Sequence, residues 1–517
     1  MVAQLLRRPG ACAVHAPCRG VLAVHHGVCR LAYRPPQRQS DDAHGLQCGD
    51  GGADPANRAW YHDRDLHRAV APGDPAPVDG GAALGADPAR ALSVELSHRH
   101  LCPGASGMTT MTAYQDLMAF QRETEALAEI AGRLGWDQET MMPRGSADQR
   151  AEETAAISHV LHQRRIDPRV EDWLGQIEDD ALEPEAQAQM RLIRRDFNRT
   201  RKIPPKLATE IARVTSRAQG QWAEARANED VAAFLPVLEQ VVKLRQEEGH
   251  ALAEGGDVYD ALLNDYEPEA KAAEIDAMFA AMRPRLVALR TAALDRPAPA
   301  PVKGDFPADV QLALARDVAV AFGYDLDCGR IDLAVHPFSS GSGRDVRITT
   351  RTNAADPFNC IYSTIHEVGH ASYEQGVDPA YLLTPLGEGV SMGVHESQSR
   401  IYENQLGRSR AFTGWLFERM TERFGDLGLD GPDAFYAAVN RLHNGYIRTE
   451  ADEVQYNLHV MLRFDLERAL ISGDLKVGDL EAAWNDRFAA DFGFAIDKPS
   501  NGCLQDVHWS VGLFGYF

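Results

Sequence analysis

From Met108 onward, apolar side chains recur at three- and four-residue steps with charged residues between them. The stretch "YQDLMAFQRETEALAEIAGRLGWD" (114–137) shows the pattern first, with Leu117, Phe120, Leu127 and Leu134 on one face. Such spacing predicts an amphipathic helix. The same periodicity recurs through 147–164, 184–198, 205–225, 230–254, 269–293 and 307–322. The sequence after Met108 therefore predicts a mainly α protein.

One segment departs from the helical pattern. Residues 331–338, "IDLAVHPF", are followed by a Ser/Gly turn, "SSGSG", and then by "RDVRITTR" (344–351), which alternates polar and apolar residues. Alternation on both sides of a glycine-containing turn is typical of a β-hairpin. The sequence predicts a hairpin here, just before a pair of histidines.

Composition excludes several classes of protein. The 517 residues carry a net charge of −22. Nucleic-acid surfaces need clustered Lys and Arg, so this acidity argues against nucleic-acid binding. No apolar run is long enough to span a membrane. Five of the eight cysteines precede residue 108 and the other three lack paired spacing, which favours a reduced, cytoplasmic protein.

Residues 1–107 differ chemically from the rest of the chain. They contain no lysine, one glutamate (Glu95) and eight of the eighteen histidines, without helical or alternating period. A transit peptide is one interpretation, because acidic residues are absent before Asp41. A disordered extension is another. The favoured hypothesis is a spurious extension, translated upstream of a true start at Met108 or Met111.

The segment "TIHEVGHASYEQG" (364–376) has two histidines four positions apart, with a glutamate directly after the first. On a helix, positions i and i+4 share a face, so His366 and His370 can point at one metal ion. Glu367 projects to the side, within reach of a water molecule on that metal. For so short a motif, a core helix with hydrogen-bonded histidines is the alternative.

A catalytic zinc needs a third protein ligand and an open position. Glu374 lies one turn beyond His370 and is too far along the helix axis. Glu396 is a better candidate, since residues 390–406 predict a separate helix that could pack on the first. Its rival, His395, points about 100° away on that helix. Glu403 shares a face with Glu396 and could hydrogen-bond a ligand, although a solvated glutamate is the favoured interpretation.

With these ligands placed, the chain from about Met108 to Phe517 resembles the M32 family of metallocarboxypeptidases, the carboxypeptidase Taq type. Six family motifs occur in order: "HPF" (336–338), "DVRIT" (345–349), "HEVGH" (366–370), "HESQ" (395–398), "IRTEAD" (447–452) and "GCLQDVHW" (502–509). So many ordered motifs over some 170 residues are hard to obtain by chance.

The resemblance implies a nearly all-helical, long-helix gluzincin-like fold with a central cleft and a small β-structure beside the zinc site. It implies that His366, His370 and Glu396 bind Zn²⁺, which Co²⁺ can replace, and that Glu367 is catalytic. Family members remove single amino acids from peptide C-termini and are usually homodimers.

The chemistry of peptide hydrolysis suggests further roles. Glu367 would take a proton from the attacking water and return it to the leaving amine. A developing oxyanion needs hydrogen-bond donors, and His508 or His336 could supply one. For both histidines, packing in the core is the alternative.

A carboxypeptidase must also bind a free carboxylate, for which an arginine is well suited. Arg448 is favoured over Arg347. Each has a structural alternative: Arg347 shares a strand face with Asp345, and Arg448 has Asp452 one helical turn away.

The chain ends after "HWSVGLFGYF", whereas the family continues through further helices. We therefore expect a C-terminally truncated domain whose stability is in doubt. The competing hypotheses are a zinc endopeptidase, a dipeptidyl carboxypeptidase, and a noncatalytic fragment or pseudoenzyme.

Overall fold

The computed structural model describes residues 105–517, which form fifteen α-helices and one three-stranded sheet. The helices are α1 (Ala105–Thr140), α2 (Ala147–Arg165), α3 (Pro168–Gln176), α4 (Pro184–Thr200), α5 (Pro205–Ala227), α6 (Val231–Ala253), α7 (Val258–Leu263), α8 (Ala272–Leu294), α9 (Ala308–Ala321), α10 (Pro357–Gln375), α11 (Met392–Arg400), α12 (Arg410–Phe424), α13 (Pro432–Val439), α14 (Gln455–Ser472) and α15 (Leu480–Phe492). The strands are β1 (Gly329–Leu333), β2 (Ser339–Ser340) and β3 (Val346–Thr350). The mainly α prediction is confirmed.

Local sequence signals explain where helices begin. Asp230 accepts a hydrogen bond from the backbone N–H of Ala233 at the start of α6, and Asp356 accepts one from Phe358 at the start of α10. Both satisfy a backbone donor that the helix itself leaves free. Pro357 occupies the first turn of α10, where its missing N–H costs nothing.

The predicted hairpin is wrong in its main pairing. Strand β1 pairs with β3 in parallel, with Gly329 opposite Val346 and Leu333 opposite Thr350. Only the two residues of β2 pair with β3 in the antiparallel sense. Pro337, just before β2, has no N–H to donate to a ladder, so a long antiparallel strand cannot form there. The first strand instead crosses to the other edge of β3, giving the order β1-β3-β2.

Four groups of apolar side chains are buried among the described residues, and the smallest lies between α9, β3 and α10. The largest group joins α5, α6, α14 and α15. A second lies among α9, α10, α12 and α13, and a third joins α1, α3 and α4. A cavity of about 1350 Å³ has walls that include α1, β2, α10, α11 and α14. The sequence predicted a cleft beside the small sheet, and this cavity lies there. The gluzincin-like detail of the fold stays a prediction.

Two other expectations concern the extent of the chain and membranes. Within the part of the chain that the structure describes, no helix is both long and apolar enough to cross a membrane. Residues 1–104 lie outside the described residues, so the hypothesis about residues 1–107 stays a prediction.

Helices α10 and α11 approach each other closely at Gly369. A Cβ atom on Gly369 would lie 2.5 Å from the Cα of Ser399 and 2.8 Å from the carbonyl oxygen of Gln398. Both are backbone atoms of α11, so no side-chain rotation could relieve the clash. Only glycine at position 369 allows the two helices this spacing.

We therefore expect Gly369→Ala to push α11 away from α10 and to lower the free energy of unfolding by about 1–3 kcal/mol, as overpacking of a core does. Urea denaturation followed by circular dichroism measures the change. Gly414→Ala on α12 is the matched control, because nothing lies within 4 Å of its added Cβ. The control should leave stability unchanged or raise it by up to about 1 kcal/mol. Equal stability of the two variants would contradict the tight contact.

Candidate metal centre

Helix α10 brings both histidines of the motif to one point. The Nε2 atoms of His366 and His370 lie 3.6 Å and 3.2 Å from Oε2 of Glu396 on α11. One nitrogen or oxygen atom from each residue lies within 4.8 Å of the other two. Two imidazole nitrogens and a carboxylate oxygen are donors suited to a divalent metal ion. The three predicted ligands thus meet, and their chemistry fits a metal.

The second nitrogen of His366 is held by Glu403. Its Nδ1 lies 2.9 Å from Oε2 of Glu403. Arg400 also donates to this Oε2, and Arg408 donates to Oε1 of the same carboxylate. Glu403 is buried and belongs to a π-helical turn, Ile401–Leu406, that continues α11. The favoured interpretation of Glu403 as a solvated glutamate is therefore wrong, and the structure shows a hydrogen bond between Glu403 and His366, a candidate metal ligand.

The second nitrogen of His370 has a different partner. Nδ1 of His370 lies 2.6 Å from Nδ1 of His395, and Nε2 of His395 lies 2.8 Å from Oε1 of Glu374. Neither His395 nor Glu374 belongs to the group of three converging ligand atoms. The sequence argument that set both aside as metal ligands agrees with this placement.

Buried negative charge dominates the centre. Burial alone would lower the pKa of His366, but Glu396, Glu403 and Glu367 outweigh it and raise the pKa to about 9. Burial would likewise raise the pKa of Glu396, yet the adjacent His366 and His370 hold it well below its usual range. The surrounding carboxylates thus favour positive charge between them, which a proton on the imidazole or a metal cation supplies.

Glu367 lies beside the ligands and lines the cavity. Only 5 % of its surface is exposed. Burial raises its pKa to about 7, against the opposing effect of His366 and Arg448. A carboxyl group with a pKa near neutrality can both accept and donate a proton.

A second cluster, His336, Asp506 and His508, also brings three potential ligand atoms within 4.8 Å. Asp506, however, already pairs with Arg463 and lies 3.7 Å from Arg448. Two guanidinium groups beside one carboxylate oppose a further cation. Burial lowers the pKa of both histidines, so they are neutral. Asp506 therefore belongs to an ion-pair network with the two arginines, and the neutral His336 and His508 line the cavity next to it.

Arg448 is buried and lines the cavity. Its Nη1 donates to the hydroxyl of Tyr456 at 2.9 Å, and among the described residues its Nε has no hydrogen-bond partner. Asp452, the expected structural partner, instead accepts from Val454 and Gln455. The expected pairing of Arg448 with Asp452 is therefore wrong, and the carboxylate nearest its guanidinium is that of Asp506, 3.7 Å from Nη2.

Arg347 is placed differently. Its guanidinium forms two hydrogen bonds to Asp345, at 2.8 Å and 3.0 Å, and lies over the ring of Trp136. It is not among the residues that line the cavity. The prediction of Arg347 as a substrate ligand is corrected: the ion pair on the strand accounts for it.

Sequence reasoning missed two tyrosines. The hydroxyl of Tyr456 donates to Oε1 of Glu396 at 2.9 Å, and so links Glu396 to Arg448. Tyr516 lines the cavity and stacks on His508, with 5.0 Å between ring centroids. Neither tyrosine stands at a diagnostic spacing from the ligands, so no sequence pattern could have identified it.

One buried carboxylate anchors the segment that carries His508. Glu467 on α14 accepts hydrogen bonds from the indole of Trp509 at 2.9 Å, from Tyr259 at 3.0 Å and from the backbone of Gly515 at 3.1 Å. These bonds tie residues 509–515 to two helices of the largest core group. The cavity wall is therefore held at a defined position.

Loss of the Glu403 charge should weaken metal binding. In Glu403→Gln, the amide no longer supports the basicity of His366, so we expect the metal dissociation constant to rise about 10- to 100-fold. Competition with a chelating dye measures it. Glu418→Gln, an exposed glutamate on α12, is the control and should bind like the unmodified chain. Unchanged affinity in Glu403→Gln would contradict the role of the hydrogen bond.

Comparison with known proteins places these features in a family. A sequence model described as carboxypeptidase Taq (M32) metallopeptidase matches residues 116–517. Thermostable carboxypeptidase 1 of Thermus thermophilus is 42% identical over 428 residues, covering 79% of this chain and 84% of that protein. Carboxypeptidase 1 of Bacillus subtilis is 34% identical over 400 residues, covering 75% and 79%. The crystal structure of the M32 carboxypeptidase from Deinococcus radiodurans matches with a TM-score of 0.70 and 38% identity, covering 78% and 84%.

Proposed function

The chain belongs to the carboxypeptidase Taq (M32) family of metallopeptidases, and from this premise we propose that it is a zinc carboxypeptidase that releases single C-terminal amino acids. The observation that carries the proposal is the convergence of His366, His370 and Glu396 on one wall of the cavity, with Glu367 beside them.

The ligand set supports zinc as the metal, with cobalt as a substitute. His366, His370 and Glu396 would hold it, because two imidazoles and one carboxylate match a common catalytic zinc site. When bound, the ion would lower the pKa of a water molecule and polarise the scissile carbonyl.

Glu367 is the proposed general base. It lies next to His366 and is buried, and this burial keeps bulk water away from its carboxylate and raises its pKa to about 7. In this role Glu367 takes the proton of the attacking water and then passes it to the nitrogen of the leaving amino acid. No covalent bond to the protein forms in this sequence.

His508 is the proposed donor to the developing oxyanion. It lines the cavity, and because its Nδ1 is buried 3.9 Å from Oδ1 of Asp506, Nε2 would be the nitrogen that donates to a substrate. His336 is less suited. Its Nδ1 faces the carbonyl of Pro337 at 2.8 Å, which makes Nε2 the acceptor nitrogen, 3.4 Å from Nη2 of Arg448. We infer that His336 orients Arg448.

Arg448 is the proposed ligand of the substrate carboxylate. It offers a buried cation on the cavity wall, and no carboxylate lies within hydrogen-bond distance of its guanidinium among the described residues. An extended peptide can also pair with the exposed edge of β2, since Ser339 and Ser340 line the cavity. Together these features would place the C-terminal residue of a peptide beside Glu367.

The family resemblance and the three unpaired cysteines among the described residues, Cys328, Cys360 and Cys503, support the remaining parts of the proposal. These are a cytoplasmic location, peptide substrates with a free C-terminus, and assembly as a homodimer.

The function is tested with matched peptides that differ only at the C-terminus, one with a free carboxylate and one amidated. We expect stepwise release of single amino acids from the free peptide, negligible cleavage of the amide, and loss of activity on chelation that Zn²⁺ restores. Glu367→Gln should lower kcat about 100- to 10,000-fold while metal content stays the same. Equal cleavage of both peptides would indicate an endopeptidase, and release of dipeptides a dipeptidyl carboxypeptidase.

The same substitution at Arg448 and at Arg347 distinguishes a substrate ligand from a structural ion pair. Arg448→Met should raise KM for the free peptide about 10- to 100-fold, because a charge-assisted hydrogen bond is lost. Arg347→Met should leave KM within about twofold and lower the melting temperature instead, because only its ion pair and ring contact are lost. Steady-state kinetics and thermal unfolding measure both. A larger KM effect at Arg347 than at Arg448 would reverse the assignment.

A further inference from the structure

We propose that His395 and Glu374 are positioning residues that select the tautomer of His370, so that its Nε2 lone pair faces the metal. The proposal rests on the metal role proposed for His370. The proposal adds two residues to the site, because Glu374 and His370 of α10 and His395 of α11 form a series of hydrogen bonds.

Each link of this series is within hydrogen-bond distance. Oε1 of Glu374 lies 2.8 Å from Nε2 of His395, and Nδ1 of His395 lies 2.6 Å from Nδ1 of His370. His370 ends the series with Nε2 toward Glu396, at 3.2 Å from its Oε2. The series therefore runs from a buried carboxylate to the metal ligands.

The direction of the hydrogen bonds follows from the chemistry of the groups. An ionised carboxylate only accepts, so Nε2 of His395 carries the proton in its bond to Glu374. A neutral imidazole has one N–H, which leaves Nδ1 of His395 as the acceptor. Nδ1 of His370 then donates, and Nε2 keeps the lone pair that a metal between it and Glu396 requires; without a metal, Oε2 of Glu396 at 3.2 Å competes for a proton on Nε2.

The surroundings hold the His395 ring in this position. The ring of Tyr373 packs on it, with 4.9 Å between centroids. On another side, a Cβ added to Gly389 would lie 2.7 Å from Cδ2 of His395, so only glycine leaves room for the imidazole. Glu374 is only 8 % exposed, so few water molecules can compete with His395 for a hydrogen bond to its carboxylate.

The two metal histidines are therefore supported in different ways. Glu403 accepts directly from Nδ1 of His366, whereas His370 is separated from its carboxylate by the imidazole of His395. To support His370, residue 395 needs only a hydrogen-bond acceptor at the position of its Nδ1. This requirement distinguishes a tautomer-selecting residue from one that merely fills space.

The test uses the full chain with three substitutions at one position. Asparagine in His395→Asn places a carbonyl oxygen near the Nδ1 position and can still accept from His370. Glutamine in His395→Gln reaches the Nε2 position instead, and His395→Ala offers no acceptor. We expect the Zn²⁺ dissociation constant, from chelator competition, to rise about 10- to 100-fold for Ala and Gln but less than about fivefold for Asn.

A spectroscopic measurement reports the tautomer directly. In the metal-free Glu396→Ala chain, used as the background for these measurements because no carboxylate then faces Nε2 of His370, ¹⁵N-labelled His370 at pH 8 should be protonated at Nδ1, as read from its two-bond ¹⁵N–¹H couplings. In His395→Ala the Nε2–H form should become the major species, and Glu374→Leu should shift the balance in the same direction. His159→Ala, an exposed histidine on α2, is the control and should change neither the affinity nor the tautomer.

Two results would overturn the proposal: an unchanged tautomer in His395→Ala, or an Asn variant as weak in zinc binding as the Ala variant. Circular dichroism of each variant checks that it is folded. Failure of the proposed function itself is distinguishable. It would show as stoichiometric zinc retained by His370→Ala, whereas the tautomer of His370 in the metal-free chain is measured independently of metal binding.

Discussion

The contact of Gly369 with the backbone of Ser399 sets the distance between α10 and α11, and the rest of the metal centre depends on that distance. His366 and His370 leave α10 on one face, and Glu396 leaves α11 toward them. Any side chain at position 369 would separate the helices and move the carboxylate away from the imidazoles. The ligand set is therefore a property of helix packing, because neither helix alone holds three donors.

Electrostatics sets the second constraint. Ionised groups are costly to bury unless they are paired and hydrogen-bonded. The two carboxylates that contact His366 have different partners. Glu403 pairs with the guanidinium groups of Arg400 and Arg408, while Glu396 faces the two imidazoles. Beyond Tyr456, Asp506 is matched by Arg463 and Arg448. The site thus separates a region rich in carboxylates, around His366, from a region rich in guanidinium groups, around Asp506.

Several features were accessible from the sequence because they depend on local periodicity. The spacing of His366 and His370 gives a shared helical face whatever surrounds it. The seven-residue step from Glu396 to Glu403 also gives a shared face, and both reach the same imidazole, one at each nitrogen. The solvated state expected for Glu403 was wrong because burial depends on the neighbouring Arg400 and Arg408, which periodicity does not show. The hairpin was wrong for a related reason: the alternation predicts strands, but the choice of partner depends on which edge of β3 is free.

The sequence by itself determined the elements and the chemistry they carry: mostly helices, a two-histidine motif with its glutamate, a third ligand on a later helix, and the ordered motifs of a metallopeptidase family. Only the tertiary structure decided which polar groups meet. Tyr456 reaches Glu396 across 60 residues of sequence, Arg347 turns to Asp345 instead of the cavity, and His395 joins Glu374 to His370. Hydrogen bonds act over about 3 Å, and contacts between distant segments at that range follow from the packing of whole helices, which no local pattern of residues records.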